Sequence, residues 1–304
     1  MLLVLKVEIT EWIPLEAAEI EKHTLCTHMT PNSRMSNNDI PDSSRTASPF
    51  PTSNGMDSIK PLILAAGLGK RMNSELPKVL LPLKGKPMLS FLLEAVEKSN
   101  LAKPATLIVG AGSELVKKAA GPNYQYVLQE EQLGTGHAVQ CAEKILRGNA
   151  KHIMVLYGDH PLVDAETINR IGKAHLEGGN PITMATTVID DFKDWRASFY
   201  DYGRIIRNGK GEIKQIIERK DATEDELEVK EVNPSYFCFN AEWLWEKLKL
   251  LTTENAQKEY YLTTLPKIAW DEKSPITMVS IDPKTALGAN TPEQFAILEK
   301  IMTQ

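Results

Sequence analysis

The sequence predicts an α/β fold: a doubly wound, mostly parallel sheet that carries a β-rich insertion. Three observations predict it. Between residues 59 and 188, short β-rich apolar runs alternate with helix-length segments, the signature of parallel strands joined by helices. After about residue 190 the alternation gives way to successive β-rich runs around Asn208-Gly209 and a charged loop at 221–228. The first strand ends in a glycine turn, Ala66-Gly67-Leu68-Gly69, at a strand carboxyl end, where open α/β sheets gather ligands.

The elements follow in order. Residues 62–65 read as the first strand. Residues 88–99 (MLSFLLEAVEKS) place apolar side chains at helical spacing, and Pro87 suits a first turn. Strands are expected at 105–110, 124–128, 153–157 and 182–188, with helices at 113–120, 136–147 and 164–177 between them. The insertion reads as strands at 202–206, 211–218 and 229–240. Helices follow at 241–250 and 259–270, then a strand at 276–281 and a last helix from Thr291. No internal repeat is visible.

The 304 residues carry a formal net charge of −5. Residues 1–58 contribute −4 of it, so the body is nearly neutral. That gives no reason to expect a nucleic-acid partner. No apolar run reaches the ~20 residues of a membrane helix, so no membrane partner is expected. Cys26, Cys141 and Cys238 are widely spaced, without a CxxC or Cys/His cluster. This argues against structural zinc and for a reducing, cytoplasmic setting. Residues 11–22 could form an acidic helix, and from Thr30 to Ser58 the chain is rich in Ser, Thr, Asn, Asp and Pro. Residues 1–58 are therefore expected to be a disordered extension of a domain at 59–304, with Met56 a candidate true start. The segment is acidic and poor in Arg, unlike a transit peptide.

The turn after the first strand fails both familiar phosphate motifs. Gly69-Lys70 is followed by Arg71 rather than Ser or Thr, and Gly67-Leu68-Gly69 lacks the third glycine of a dinucleotide fingerprint. What remains still suits an anion. Glycines let backbone N–H groups approach oxygens, and Lys70, Arg71 and Lys78 add charge. A tight turn with solvated cations would have the same composition.

These residues also carry a resemblance. Leu64-Ala65-Ala66-Gly67-x-Gly69-x-Arg71-Met72, Pro77-Lys78-Val79-Leu80 and Gly85-Lys86-Pro87-Met88 resemble the signature of sugar-nucleotide pyrophosphorylases. The likeness is to the N-terminal uridylyltransferase half of bacterial N-acetylglucosamine-1-phosphate uridylyltransferases. It continues through Gln129-Glu130-Glu131-Gln132-Leu133-Gly134-Thr135-Gly136-His137-Ala138, Tyr157-Gly158-Asp159, Tyr202-Gly203-Arg204-Ile205, Ile217-Glu218, Glu231-x-Asn233, Glu259-Tyr260-Tyr261-Leu262-Thr263 and Gly288-x-Asn290. It covers essentially residues 60–300.

The resemblance implies a Rossmann-like nucleotide-diphospho-sugar transferase fold. It also implies magnesium-dependent transfer of UMP from UTP to N-acetylglucosamine 1-phosphate, yielding pyrophosphate and a cell-wall precursor. Arg71 and Lys78 would act on the phosphates. Leu64, Ala65, Ala66, Gly67, Gln129, Gly134, Thr135, Tyr157 and Gly158 would bind the nucleotide, and Gly203, Glu218, Asn233, Tyr261 and Thr263 the sugar. Asp159 and Asn290 would hold Mg²⁺, and Lys70 is left without a fixed role. From the residues alone, Asp159 and Asn290 also suit helix caps or turns. Glu218 could equally pair with Arg219 or Lys220, and Gly134-Thr135-Gly136 could simply open a helix with His137 structural.

Three departures stand out. The hexapeptide β-helix that carries acetyl transfer in the bifunctional relatives does not follow, so no acetyltransferase activity or β-helix trimer is expected. Pro234-Ser235 stands where Thr-Gly is usual, and Thr264 where an Asp often follows. Transfer to a different phosphate acceptor, or a silent sugar-nucleotide-binding paralogue, are the alternatives.

Overall fold

The computed structural model describes residues 55–72 and 74–303. The expectations for residues 1–54, including the acidic helix, lie outside the described residues. Residues Met56–Ser58 form a 3₁₀ turn, and Met56 is buried. Its side chain lies where a Cβ on Gly172 would meet its Cε at 2.6 Å. The folded body therefore begins before the expected boundary at 59.

From there the chain builds β1 (Ile59–Ala65), a two-stranded ribbon of β2 (Pro82–Leu83) and β3 (Lys86–Pro87), and α1 (Met88–Lys98). It continues with β4 (Thr106–Val109), α2 (Ser113–Ala120), β5 (Gln125–Leu128), α3 (Thr135–Cys141), α4 (Glu143–Leu146) and β6 (His152–Tyr157). Next come α5 (Ala165–Gly178), β7 (Ile182–Val188), β8 (Gly203–Arg207), β9 (Ile213–Ile217), α6 (Glu224–Leu227), β10 (Glu231–Asn233) and β11 (Phe237–Asn240). The last elements are α7 (Ala241–Leu248), α8 (Leu265–Asp271), β12 (Ile276–Ser280) and α9 (Pro292–Ile301).

A ten-stranded sheet runs β5-β4-β1-β6-β11-β7-β10-β8-β9, with β12 also on β7. β5, β4, β1 and β6 are parallel, and β12 is parallel to β7. Side chains alternate across the sheet. Ile59, Ile63 and Ala65 of β1 join one core cluster with Leu89 and Leu92 of α1 and Ile168 of α5. Leu62 and Leu64 join the other with Ala138 of α3, Leu244 of α7 and Leu265 of α8. The sheet is thus wound on both faces, as expected. Each fully buried Leu of these faces contributes about 1.5–3 kcal/mol. α5 starts where Asp164 caps it, its side chain accepting from Thr167 N, and stops at left-handed Gly179. No helix among the described residues is long and apolar enough to cross a membrane.

Three differences from the expected elements matter. The strand expected at 229–240 breaks at Pro234–Tyr236, and its second half is not part of the insertion. β11 enters the central sheet between β6 and β7, antiparallel to both. The helix expected at 259–270 begins late, with a 3₁₀ turn at Leu262–Thr264 and then α8, which has Pro266 in its first turn. Tyr260 is instead drawn to the start of α3: its N–H donates to Leu133 O at 2.8 Å, and its carbonyl accepts from Gly136 N at 2.7 Å. The helix expected at 136–147 is interrupted at Ala142.

Candidate functional site

The carboxyl ends of β1 and β6, the start of α3, the insertion and the strap before α8 enclose one cleft of about 610 Å³, a size typical of small-molecule sites. Leu64, Ala66, Gly67, Arg71 and Lys78 line it. So do Gln129, Gly134, Thr135 and Tyr157, and Gly203, Glu218, Asn233, Tyr261 and Thr263. Asp159 and Asn290 line it as well.

Ala65 and Gly158 do not line the cleft. The alternation of β1 turns the Ala65 side chain into the opposite core. Gly158 N donates to Leu64 O at 2.9 Å, and a Cβ on Gly158 would meet Val79 Cγ1 at 3.1 Å. It serves the close packing beneath the cleft.

The glycine turn has a specific steric reason. Gly69 has φ +62°, and a Cβ there would meet the Lys78 Cβ at 2.7 Å. Its bareness lets the segment that carries Lys78 press against the turn. Met72 N donates to Gly69 O at 2.7 Å, closing the 3₁₀ turn that carries Arg71. Lys78 Nζ then reaches Asp159 Oδ2 at 2.5 Å and Asn290 Oδ1 at 2.7 Å. Both oxygens point at one cationic atom, a hard-oxygen donor pair that also fits a divalent cation of the Mg²⁺ type. Burial alone would raise the Asp159 carboxyl, but attraction to Lys78 and His160 outweighs it and holds the group below the usual carboxylate range.

The structure separates the alternatives that the residues alone left open. Thr291, not Asn290, caps α9 through its side chain. Glu218 accepts from Thr263 Oγ1 at 2.7 Å, while Arg219 pairs with Asp201 and Lys220 donates to Gln257. Burial raises the Glu218 carboxyl, and the Thr263 hydrogen bond opposes this. Burial pushes the Tyr261 hydroxyl up to about 12, so it stays neutral. Thr135 does open α3, and its Oγ1 accepts from Leu262 N at 3.0 Å. His137 Nδ1 lies 3.2 Å from Gln129 Nε2 and helps fix that amide. Of the two cysteines described, Cys238 is buried and Cys141 half-buried.

Several contributors had no assigned role. Gln132 Nε2 donates to Ala66 O at 2.5 Å and pins the glycine turn. Its signal was a second glutamine three residues after Gln129. Gln294 Oε1 accepts from Asn290 N at 2.7 Å, and its Nε2 donates to Asp201 Oδ2 at 2.9 Å. Tyr236 OH donates to Thr285 O at 3.0 Å, so at 2.9 Å it accepts the Nδ1 proton of His160. Burial lowers the His160 pKa, and attraction to Asp159 opposes this. These contacts carried no local motif.

A crossover sheet, a glycine turn and a cation–carboxylate junction together define a nucleotidyltransferase-type site. A family profile described as the MobA-like NTP transferase domain matches residues 61–257, and the chain belongs to that family. It is 43% identical over 242 residues to the bifunctional protein GlmU of Clostridium acetobutylicum, covering 79% of this chain and 51% of that protein. It is 38% identical over the same length to the GlmU of Clostridium perfringens strain SM101, with the same coverage. The chain thus spans about half the length of these curated relatives. Among solved structures, a UDP-glucose pyrophosphorylase complexed with UDP-glucose matches with a TM-score of 0.63 and 17% identity. That match covers 80% of this chain and 98% of that one, a likeness of fold.

Proposed function

We propose that the chain transfers UMP from UTP to N-acetylglucosamine 1-phosphate in the cytoplasm, releasing pyrophosphate. The observation that carries this reading is Lys78 held between Asp159 and Asn290 beside the Gly67–Arg71 turn. A phosphate oxygen of the acceptor attacks the α-phosphorus of UTP, and the bond to the bridging oxygen breaks, so pyrophosphate takes the electron pair. Positioning and charge dispersal dominate such a step.

Arg71 and Lys78 draw the triphosphate against the turn and stabilise the departing charge. Gln129, Gly134 and Thr135 meet the uracil. Gly203, Glu218, Asn233, Tyr261 and Thr263 orient the sugar. Asp159 and Asn290 would hold Mg²⁺, which when bound disperses phosphate charge.

The test is pyrophosphate release from UTP and Mg²⁺ with a panel of sugar 1-phosphates. Release with N-acetylglucosamine 1-phosphate is expected. Release only with another sugar replaces the acceptor, an outcome that the Pro234-Ser235 departure makes the second reading. No release with any sugar leaves a binding protein.

A further inference from the structure

β10 and β11 follow one another along β7 with a jump in register. Val232 faces Thr187 and Phe237 faces Met184, so residues 233–236 stand opposite only 185–186. Ser235 in this bulge has φ +65°, a left-handed conformation that a side chain disfavours. Asn233, Pro234 and Ser235 all line the cleft. A strained non-glycine residue at a ligand cleft invites a functional explanation.

The side chain supplies one. Asn233 Oδ1 accepts from Ser235 N at 3.0 Å, and Asn233 Nδ2 donates to Ser235 Oγ at 3.0 Å. Both ends of the amide are thus held by one residue. Asn233 keeps one amide hydrogen and one oxygen lone pair for a ligand, in an orientation that Ser235 sets. A Gly at 235 would leave that orientation to the backbone alone.

We infer that Ser235 is a specificity-determining residue of the sugar pocket, acting through Asn233 to select acceptors that present an adjacent donor and acceptor on the ring. This rests on the proposed transfer to a sugar phosphate.

The test compares Ser235→Gly, which removes the hydroxyl and relieves the backbone, with Ser235→Ala, which removes the hydroxyl alone. Steady-state pyrophosphate release from the full chain gives KM for UTP and for each of several sugar 1-phosphates, and thermal melting reports the fold. In both variants the KM of the preferred sugar phosphate is expected to rise about tenfold, with discrimination among sugars narrowed and the UTP KM within about twofold of wild type. Ser235→Gly is expected to melt no lower than wild type. An unchanged sugar KM, or an equal rise in both KM values, overturns the inference while the transferase reading stands. A wild-type chain inactive with every sugar phosphate overturns both.

Discussion

Lys78 Nζ stands 2.5 Å from Asp159 Oδ2, although 81 residues separate them. Both side chains are largely buried, 12% and 9% exposed. Removing one partner of such a pair costs about 3–5 kcal/mol, because the other charge is stranded. Lys78→Gln is therefore expected to melt below wild type and to regain more of the loss in millimolar Mg²⁺ than wild type gains. Scanning calorimetry with and without the ion checks this. Equal Mg²⁺ shifts in both proteins would take Asp159 out of the metal position.

Asp159→Ala is expected to lower turnover by roughly 10²–10⁴-fold while the circular dichroism spectrum is unchanged. Near-wild-type turnover would show that the carboxylate is not needed for chemistry.

Gln294 ties the Asn290 backbone to Asp201. Gln294→Leu leaves both groups without that partner, at a cost of about 1–3 kcal/mol. The expected kinetic signature is a rise in the Mg²⁺ concentration for half-maximal rate, with the UTP KM little changed. A shift in melting alone would reduce Gln294 to a structural role.

Gly134 has φ +109°, and a Cβ there would lie 2.7 Å from Tyr260 O and 2.8 Å from Tyr260 N. Both obstacles are backbone, so neither can swing aside. Gly134→Ala is expected to cost more than about 2 kcal/mol and to raise the UTP KM, since it pushes the strap from the start of α3. Urea unfolding and initial rates measure the two effects. A wild-type UTP KM would argue against the placement of the uracil.

Burial and the neighbouring His152 lower the His175 pKa to about 4 from an ordinary 6.5. The ring stays neutral between His152 Nδ1 and Thr183 Oγ1, each at 2.9 Å. Between pH 6.5 and 4 the unfolded chain binds this proton and the folded chain does not. The neutral-pH stability is therefore complete above 6.5 and is lost as pH falls to 4, by about 3 kcal/mol at most. Urea midpoints across that range should fall less steeply in His175→Gln. Parallel curves would assign the acid loss to other groups.

Much of this architecture was legible in the chain. The runs at 182–188 and 113–120 coincide with β7 and α2, because local pattern and buried face agree there. The same alternation could have separated Ala65 from Leu64 and Ala66 as cleft residues. Where tertiary contacts decide, the sequence was silent. Glu259–Tyr261 have helical neighbours, yet Tyr260 spends its backbone on Leu133 and Gly136. Gln294 looks like any polar residue in a first helical turn. Nothing in Phe237-Cys238-Phe239-Asn240 distinguishes a strand of the insertion from one bound for the central sheet.

β11 gives the chain an awkward order of assembly. It fills the slot between β6 and β7, yet it emerges from synthesis only after both and after the whole insertion. A nascent chain that ends before Phe237 holds two apolar strands with unpaired edges facing a gap, the condition in which sheets recruit the wrong neighbour. The slot closes only through contacts of large sequence separation, so completing the sheet waits for that loop closure. Truncations that keep every residue of β1 to β7 but stop short of 237 would yield a sheet with its middle missing.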